Sequence, residues 1–155
     1  MSQLKTLWIM RHGLAEAEFD SDFNRALSEV GAQQARDITN QLKQAADQPQ
    51  EMLVSPFRRT QDTAKIVHQG LGIAQPFETE DMLVHFADHK ILGDYLLACN
   101  KPSLMIVSHM PIVARLTQYL DPGCEIFGYQ TAQTVKLDFA EDGKAKVTKV
   151  YLPAS

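Results

Sequence analysis

The chain has 155 residues, of which 45% are hydrophobic, so it is long enough to form one domain with its own core. We therefore predict a single domain over residues 1–155. The formal net charge of −4 argues against binding to the nucleic acid backbone. No apolar run has the length of a signal peptide or a membrane span. These features predict a cytoplasmic protein with neither a nucleic acid nor a membrane as its partner.

Short apolar runs predict the strands of the fold. Those at 7–10, 52–54 and 104–107 are continuous rather than alternating, which is typical of strands buried on both faces in a parallel sheet. Near the end of the chain, 134–139 and 146–152 alternate on either side of Asp142 and Gly143. This pattern predicts a hairpin with its turn at those two residues.

Helical periodicity follows the first predicted strand. Ser28 is a candidate N-cap, because its hydroxyl can accept a hydrogen bond from an amide of the first turn. The apolar side chains after it are expected to share one face of the helix. They are Val30, Ala35, Ile38 and Leu42.

Three further helices are predicted along the chain. The second covers 58–70, where Gly70 is a stop signal, the third covers 87–98, and the fourth begins at Pro111. Strands that alternate with helices predict an α/β fold. We expect a three-layer α/β/α sandwich whose mostly parallel sheet has helices on both faces.

Each of the three apolar runs ends in basic residues. The first is followed by Arg11, His12 and Gly13, the second by the sequence PFRR at 56–59, and the third by His109. The carboxyl ends of neighbouring parallel strands lie at the same edge of a sheet, where ligands commonly bind. We therefore expect these basic side chains to meet in space.

Arginines and histidines gathered at one edge would form a site for a phosphate group. The planar guanidinium of arginine can donate two parallel hydrogen bonds to two oxygens of one phosphate, and it keeps its charge at neutral pH. Gly13 is expected to allow a turn and to let backbone amides approach the ligand. A neutral His12 can attack phosphorus, and nearby guanidinium charges disfavour its protonated form. The same residues would then bind a phosphoryl group and react with it.

Three motifs, in this order and spacing, resemble those of the histidine phosphatase superfamily, also called the phosphoglycerate mutase-like family. They are RHG at 11–13, SPFRRTQDT at 55–63 and SHMP at 108–111. The resemblance covers nearly the whole chain. Within the superfamily, the short length, the sequence VSPF and an arginine just before ALSEVG are most similar to the SixA-type phosphohistidine phosphatases.

The resemblance implies a role for each site residue. His12 would be the nucleophile and would carry the phosphoryl group transiently. The catalytic groups at the phosphoryl oxygens would be Arg11, Arg59 and His109. Residues expected to contact the substrate are Arg25, Gly13 and Ser108. Arg59 rather than Arg58 fits the motif, because the family's arginine lies four residues after the serine of Ser-Pro.

The resemblance also bears on the substrate. Family members that cleave esters usually carry a carboxylate acid between the second and third motifs. Glu80, Asp81 and Asp88 are available there, but the segment does not match the ester-cleaving pattern. An imidazole leaves phosphorus with less help from an acid than an alkoxide does. This departure favours phosphohistidine on a phosphotransfer or phosphocarrier protein, cleaved without a cofactor.

Other functions stay open from the sequence. A phosphomonoesterase or mutase for small phosphorylated metabolites would use Asp81 or Asp88 as its acid, whereas a non-catalytic module would hold phosphoproteins without cleaving them.

His85 and His89 could be metal ligands on one helix face, but no third ligand has suitable spacing, so no metal is predicted. Either histidine could instead line the mouth of the pocket.

Overall fold

One mixed sheet forms the centre of the computed structural model, which describes residues 3–17 and 20–154. Its strands are β1 (Thr6–Arg11), β2 (Glu51–Val54), β3 (Glu78–Thr79), β4 (Ser103–Ser108), β5 (Thr134–Phe139) and β6 (Ala145–Tyr151). Across the sheet they follow the order β3-β2-β4-β1-β5-β6. The pairs among β3, β2, β4 and β1 are parallel, and β5 runs antiparallel to both β1 and β6.

Helices cover both faces of this sheet. They are α1 (Glu29–Gln44), α2 (Arg58–Leu71), α3 (His89–Ala98) and α4 (Ile112–Leu120), with a short 3-10 helix at Asp81–Leu83. Side chains of β1 alternate between two buried clusters. Leu7 and Ile9 pack with residues of α3 and α4, whereas Trp8 and Met10 pack with residues of α1 and α2. The predicted three-layer sandwich is confirmed.

The predicted face of α1 is correct except at its first position. Ser28 caps the helix, since its Oγ accepts a hydrogen bond from the Gly31 amide at 3.0 Å. Val30, however, is 58% exposed. The buried face begins instead at Gly31 and continues through Ala35 and Ile38, because these residues follow the helical period and Val30 lies one residue, or about 100°, away from that face.

The boundaries of the other helices differ from prediction by one or two residues. Gly70 does not stop α2, which ends at Leu71 and is capped by Gly72, a residue with the left-handed φ of +66° that glycine adopts most easily. α3 begins two residues later than predicted, because the Asp88 carboxylate accepts hydrogen bonds from the first-turn amides of Lys90 and Ile91. The fourth helix, predicted to begin at Pro111, begins one residue later at Ile112, with Pro111 as its N-cap.

Of the strands at the two edges of the sheet, the sequence predicted the hairpin but not β3. The hairpin of β5 and β6 is present, with Gly143 at a φ of +86° in its turn. β3 was not predicted, because its two residues are exposed and carry no apolar pattern. No helix within the described ranges is long and apolar enough to cross a membrane.

Candidate active site

The carboxyl ends of β1 and β4 bring two histidines together. Arg11 and Ser108 are paired across these strands, and the His12 amide then donates to the Ser108 carbonyl at 3.0 Å. As a result, the rings of His12 and His109 lie 5.3 Å apart between centroids. A cleft of about 250 Å³ opens beside them, and we call it the basic cleft. Its basic and imidazole side chains are Arg11, His12, Arg25, Arg59, His85 and His109.

The His12 ring is held with one nitrogen available for chemistry. Its Nδ1 lies 2.6 Å from the Gly13 carbonyl oxygen, which can only accept, so Nδ1 carries the proton and Nε2 keeps its lone pair. Burial lowers the His12 pKa to about 4; the Gly13 carbonyl opposes this shift, and the charges of Arg59, Arg11 and Arg25 add to it. His12 is therefore a neutral imidazole near pH 7.

Gly13 is required for packing rather than for an amide that faces the ligand. A Cβ at this position would lie 2.6 Å from the Gly31 carbonyl oxygen at the start of α1. The Gly13 amide donates to the Thr63 hydroxyl at 3.1 Å, so it is already used within the protein. The expectation that this amide approaches a ligand is not supported by the geometry.

Two arginines enter the cleft from different elements. Arg11 ends β1, and its Nη1 donates to the Tyr129 carbonyl at 2.7 Å. Arg59, in the first turn of α2, is 5% exposed and its Nη1 donates to the backbone carbonyl of Asp22 at 3.0 Å. The Nε of each arginine is buried and has no hydrogen-bond partner among the described residues. Both guanidinium groups line a cleft that selects for an anion.

Arg25 also lines the basic cleft, where it meets a carboxylate that the sequence analysis missed. Arg25 Nη2 lies 3.2 Å from Asp22 Oδ1, and the same oxygen is 3.3 Å from Arg59 Nη1. Asp22 thus bridges the two guanidinium groups. The i,i+3 spacing of Asp22 and Arg25 was visible in the sequence, but the approach of Arg59 depends on the fold. By contrast, Arg58 lies outside the cleft and pairs with Asp62 on the α2 surface at 3.7 Å.

His109 is oriented by a serine of the second motif. Its Nε2 lies 2.7 Å from Ser55 Oγ, and Ser55 Oγ accepts a weak hydrogen bond from the Phe57 amide at 3.4 Å. In the tautomer in which Ser55 donates to Nε2, the ring proton of His109 is on Nδ1. This buried nitrogen has no hydrogen-bond partner among the described residues. Burial, together with the charges of neighbouring His12 and Arg59, lowers the His109 pKa to about 2.

Ser108 lies next to the cleft but does not point into it. Its side chain is fully buried, and the hydroxyl donates to the Leu83 carbonyl at 2.5 Å. The expectation that Ser108 contacts the substrate is therefore corrected: its hydroxyl ties β4 to the 3-10 helix. Its backbone carbonyl is the group that serves the site, because it accepts the His12 amide.

The structure brings one further histidine to the cleft. His85 lines the basic cleft, and its ring lies 5.1 Å from His109 and 5.2 Å from Phe57. His89 lies outside the cleft, 6.0 Å from the Tyr119 ring. No cluster of three or more histidine, cysteine or acidic side chains that could hold a metal occurs in the described part of the chain. His85 was one of the histidines considered for the mouth of the pocket, but periodicity could not locate it.

The three candidate acids do not line the basic cleft. The Glu80 carboxylate caps the 3-10 helix by accepting from the Met82 amide at 3.2 Å. Asp88 caps α3, and Asp81 is exposed on the 3-10 helix. The cleft therefore offers a neutral imidazole and cationic donors, without a carboxylate from this segment to protonate a leaving group.

Comparison with known proteins places the chain among phosphatases. Residues 7–87 match the family model of the histidine phosphatase superfamily, branch 1. The chain is 31% identical over 142 residues to phosphohistidine phosphatase SixA of Escherichia coli K12, with 88% of each chain covered. It is 32% identical over 124 residues to a SixA homolog of Haemophilus influenzae, with 74% of this chain and 76% of that protein covered.

Solved structures agree with this result. The protein histidine phosphatase SixA complexed with tungstate superposes with a TM-score of 0.89 at 28% identity, over 96% of this chain and 97% of that chain. A SixA protein from Agrobacterium tumefaciens gives a TM-score of 0.86 at 18% identity, over 97% of this chain and 99% of that chain, which supports the fold.

Proposed function

Because the chain belongs to the histidine phosphatase superfamily, we propose that it is a phosphohistidine phosphatase that uses His12 as a covalent nucleophile. The observation that carries this proposal is a neutral His12 whose Nε2 is available inside a cleft of three arginines. The similarity of the chain to two proteins named phosphohistidine phosphatase SixA and SixA homolog supports the substrate class. The physiological substrate is a phosphotransfer or phosphocarrier protein.

The reaction has two displacements at phosphorus. In the first, His12 Nε2 forms a bond to phosphorus, and the P–N bond of the substrate breaks with its electron pair moving to the departing imidazole. In the second, water forms a P–O bond, the bond to Nε2 breaks, and inorganic phosphate leaves. Arg11, Arg59 and the Nδ1–H of His109 stabilise the charge on the phosphoryl oxygens in both transition states.

The absence of a cleft carboxylate from the segment between the second and third motifs favours phosphohistidine over a phosphate ester. An alkoxide needs a proton as it leaves, and neither Glu80 nor Asp88 is placed to give one, because both carboxylates cap helices. A departing imidazole is a much weaker base. Phosphohistidine is therefore the substrate that this set of residues can cleave most readily.

Exposed aromatic rings beside the cleft support a protein as the substrate. Phe86 is 76% exposed and its ring contacts His85 at 5.0 Å, while Phe23 is 52% exposed and its ring contacts Phe57 at 5.0 Å. Apolar surface of this kind next to a binding site is typical of contacts with another protein. A phosphorylated protein would cover these rings, whereas a small metabolite would leave them in water.

The function can be tested with histone phosphorylated on histidine by phosphoramidate as the probe. We expect the wild-type chain to release inorganic phosphate and to acquire a phosphate label that is stable in alkali and lost in acid. His12→Ala should lower the release by at least about 10³-fold and abolish the label, because the nucleophile is absent. His68→Ala is the matched control, since His68 bonds the Gln75 carbonyl at 2.6 Å and lies outside the cleft.

Two outcomes would reject the proposed function. Faster hydrolysis of glycerol phosphate than of the phosphorylated histone would favour a phosphomonoesterase. Tight binding of the histone without phosphate release or a label on His12 would favour a non-catalytic binding module.

A further inference from the structure

His85 has no part in the two displacements described above, although it lines the same cleft. It lies between the 3-10 helix and α3, two residues after the buried Leu83. Its ring is 5.1 Å from His109, which in turn is 5.3 Å from His12. The ring of His85 therefore contacts the same histidine that contacts His12 in this cleft.

We propose that His85 is the catalytic base that accepts a proton from the water molecule that cleaves phosphorylated His12. This inference rests on the proposed function, because it concerns the second of its two displacements. Water attacks from the side opposite to His12 Nε2 in an in-line displacement. A base for this water must line the same cleft without being the nucleophile itself, and His85 meets this condition.

The ring of His85 is positioned firmly and retains an unused nitrogen. Phe57 and Phe86 contact it edge-on, at 5.2 Å and 5.0 Å between centroids. Its Nδ1 is buried and has no hydrogen-bond partner among the described residues. Because Nδ1 is closed to solvent, Nε2 is the ring nitrogen that can bond a water molecule in the cleft.

The charges that face His85 keep it neutral and able to accept a proton. Burial lowers its pKa, the positive charge of Arg59 lowers it further, and the carboxylate of Asp22 opposes both effects. His109 also faces this ring, from the end of β4. Arrival of the phosphoryl dianion raises the proton affinity of His85, because the negative charge offsets that of Arg59.

The other groups that line the cleft are less suited to this step. The arginines are cations and cannot accept a proton, and His12 carries the phosphoryl group. His109 has a pKa lowered to about 2, chiefly by burial, which makes it a much weaker base. Among the described residues that line the basic cleft, His85 therefore remains as the proton acceptor.

The step balances in protons and electrons. The water oxygen forms the new P–O bond, and the P–N bond breaks with its electron pair returning to His12 Nε2. One water proton moves to the ring of His85, and hydrogen phosphate leaves. His85 then releases this proton to the departing histidine of the next substrate or to solvent.

The test separates formation of phosphorylated His12 from its hydrolysis by rapid quenching after mixing with phosphohistidine-labelled histone. We expect His85→Gln to form the phosphoenzyme at a rate close to that of wild type and to hydrolyse it about 100-fold more slowly. The label should therefore accumulate, and added imidazole should restore part of the lost hydrolysis rate. The acid limb in the pH profile of wild-type hydrolysis should be absent in this variant.

His89→Gln is the matched control, because His89 is four residues away and lies outside the cleft against Tyr119. It should form and hydrolyse the phosphoenzyme like wild type. The proposal would be overturned if His85→Gln hydrolysed phosphorylated His12 at the wild-type rate. It would also be overturned if formation and hydrolysis slowed equally and imidazole had no effect, since His85 would then only shape the cleft. A wild-type chain that acquires no label on His12 would instead reject the proposed function.

Discussion

Asp22 is the one carboxylate whose contacts bridge two arginines of the basic cleft, among the residues that the structure describes. It pairs with Arg59 Nη1 at 3.3 Å and with Arg25 Nη2 at 3.2 Å. Its carboxylate therefore occupies donors that would otherwise be available to a phosphoryl group. Because both ligands carry negative charge, Asp22 competes with the substrate for these guanidinium groups.

Replacing this carboxylate by an amide should tighten oxyanion binding. Asp22→Asn keeps the backbone carbonyl that accepts from Arg59 but removes the competing charge. We expect orthovanadate to bind about 5-fold more tightly, the size of effect that a half-exposed ion pair can have. Isothermal titration at low salt would measure the change.

Asp20→Asn is the control for this experiment. The Asp20 carboxylate lies on the same loop and accepts hydrogen bonds from Ser21 and Asn24 rather than from an arginine of the cleft. This variant should leave the dissociation constant for orthovanadate nearly unchanged. Weaker binding by Asp22→Asn would show that Asp22 mainly positions the arginines.

Individual site residues differed in how far the sequence could predict them. Arg11 is the last residue of β1, and His12 and His109 directly follow β1 and β4, so the parallel sheet that the apolar runs predict also brings them together. Ser108 could not be assigned correctly, because the direction of its hydroxyl depends on the Leu83 carbonyl of a distant 3-10 helix. Asp22 bridges the arginines from an irregular loop, where no period indicates which way a side chain points.

At the scale of elements, α1 packs its first turn directly on the loop that follows β1. A Cβ on Gly13 would crowd the Gly31 carbonyl, and a Cβ on Gly31 would overlap the Leu14 carbonyl. The two backbones can approach this closely only because both residues are glycine. The contact fixes the loop directly after His12, and so links the start of a helix to the position of this histidine.

Gly31→Ala should therefore destabilise the protein even though alanine favours helices. We expect the free energy of unfolding to fall by about 2 kcal/mol, as for other overpacked sites, and phosphatase turnover to fall as His12 is displaced. Urea unfolding and phosphate release would measure the two effects. Gly123→Ala is the control, because an added Cβ there has no atom within 4 Å. Equal stability of the Gly31→Ala variant and wild type would contradict this account.

At the scale of the whole molecule, the sheet order explains why distant motifs share one cleft. β4 lies between β2 and β1 in the sheet. The second and third motifs begin at the carboxyl ends of β2 and β4, so both lie beside the RHG motif at the end of β1. This convergence could be predicted from the apolar runs alone. The two-residue strand β3, at the edge of the sheet next to β2, could not be predicted, because nothing in its sequence distinguishes it from a loop.

The same convergence buries histidines among cations, and it should make stability depend on pH. The His12 pKa is lowered to about 4 in the folded state, whereas an unfolded histidine titrates near 6.5. Between these values the unfolded state binds more protons, so the free energy of unfolding falls as pH drops from about 6.5 towards 4. His12 alone accounts for about 3 kcal/mol of this loss, and the lowered pKa values of His85 and His109 act in the same direction.

His12→Gln should flatten this dependence, because glutamine does not titrate. We expect urea unfolding between pH 7 and pH 4 to show a loss smaller than that of wild type by about 3 kcal/mol. Thr63→Val is the control: it removes the hydroxyl that accepts the Gly13 amide and should lower stability by the same amount at every pH. If the curves of His12→Gln and wild type ran parallel, burial of a neutral His12 would not be the cause of the acid sensitivity. A flattened curve would show that the cleft keeps His12 neutral at the expense of stability in acid.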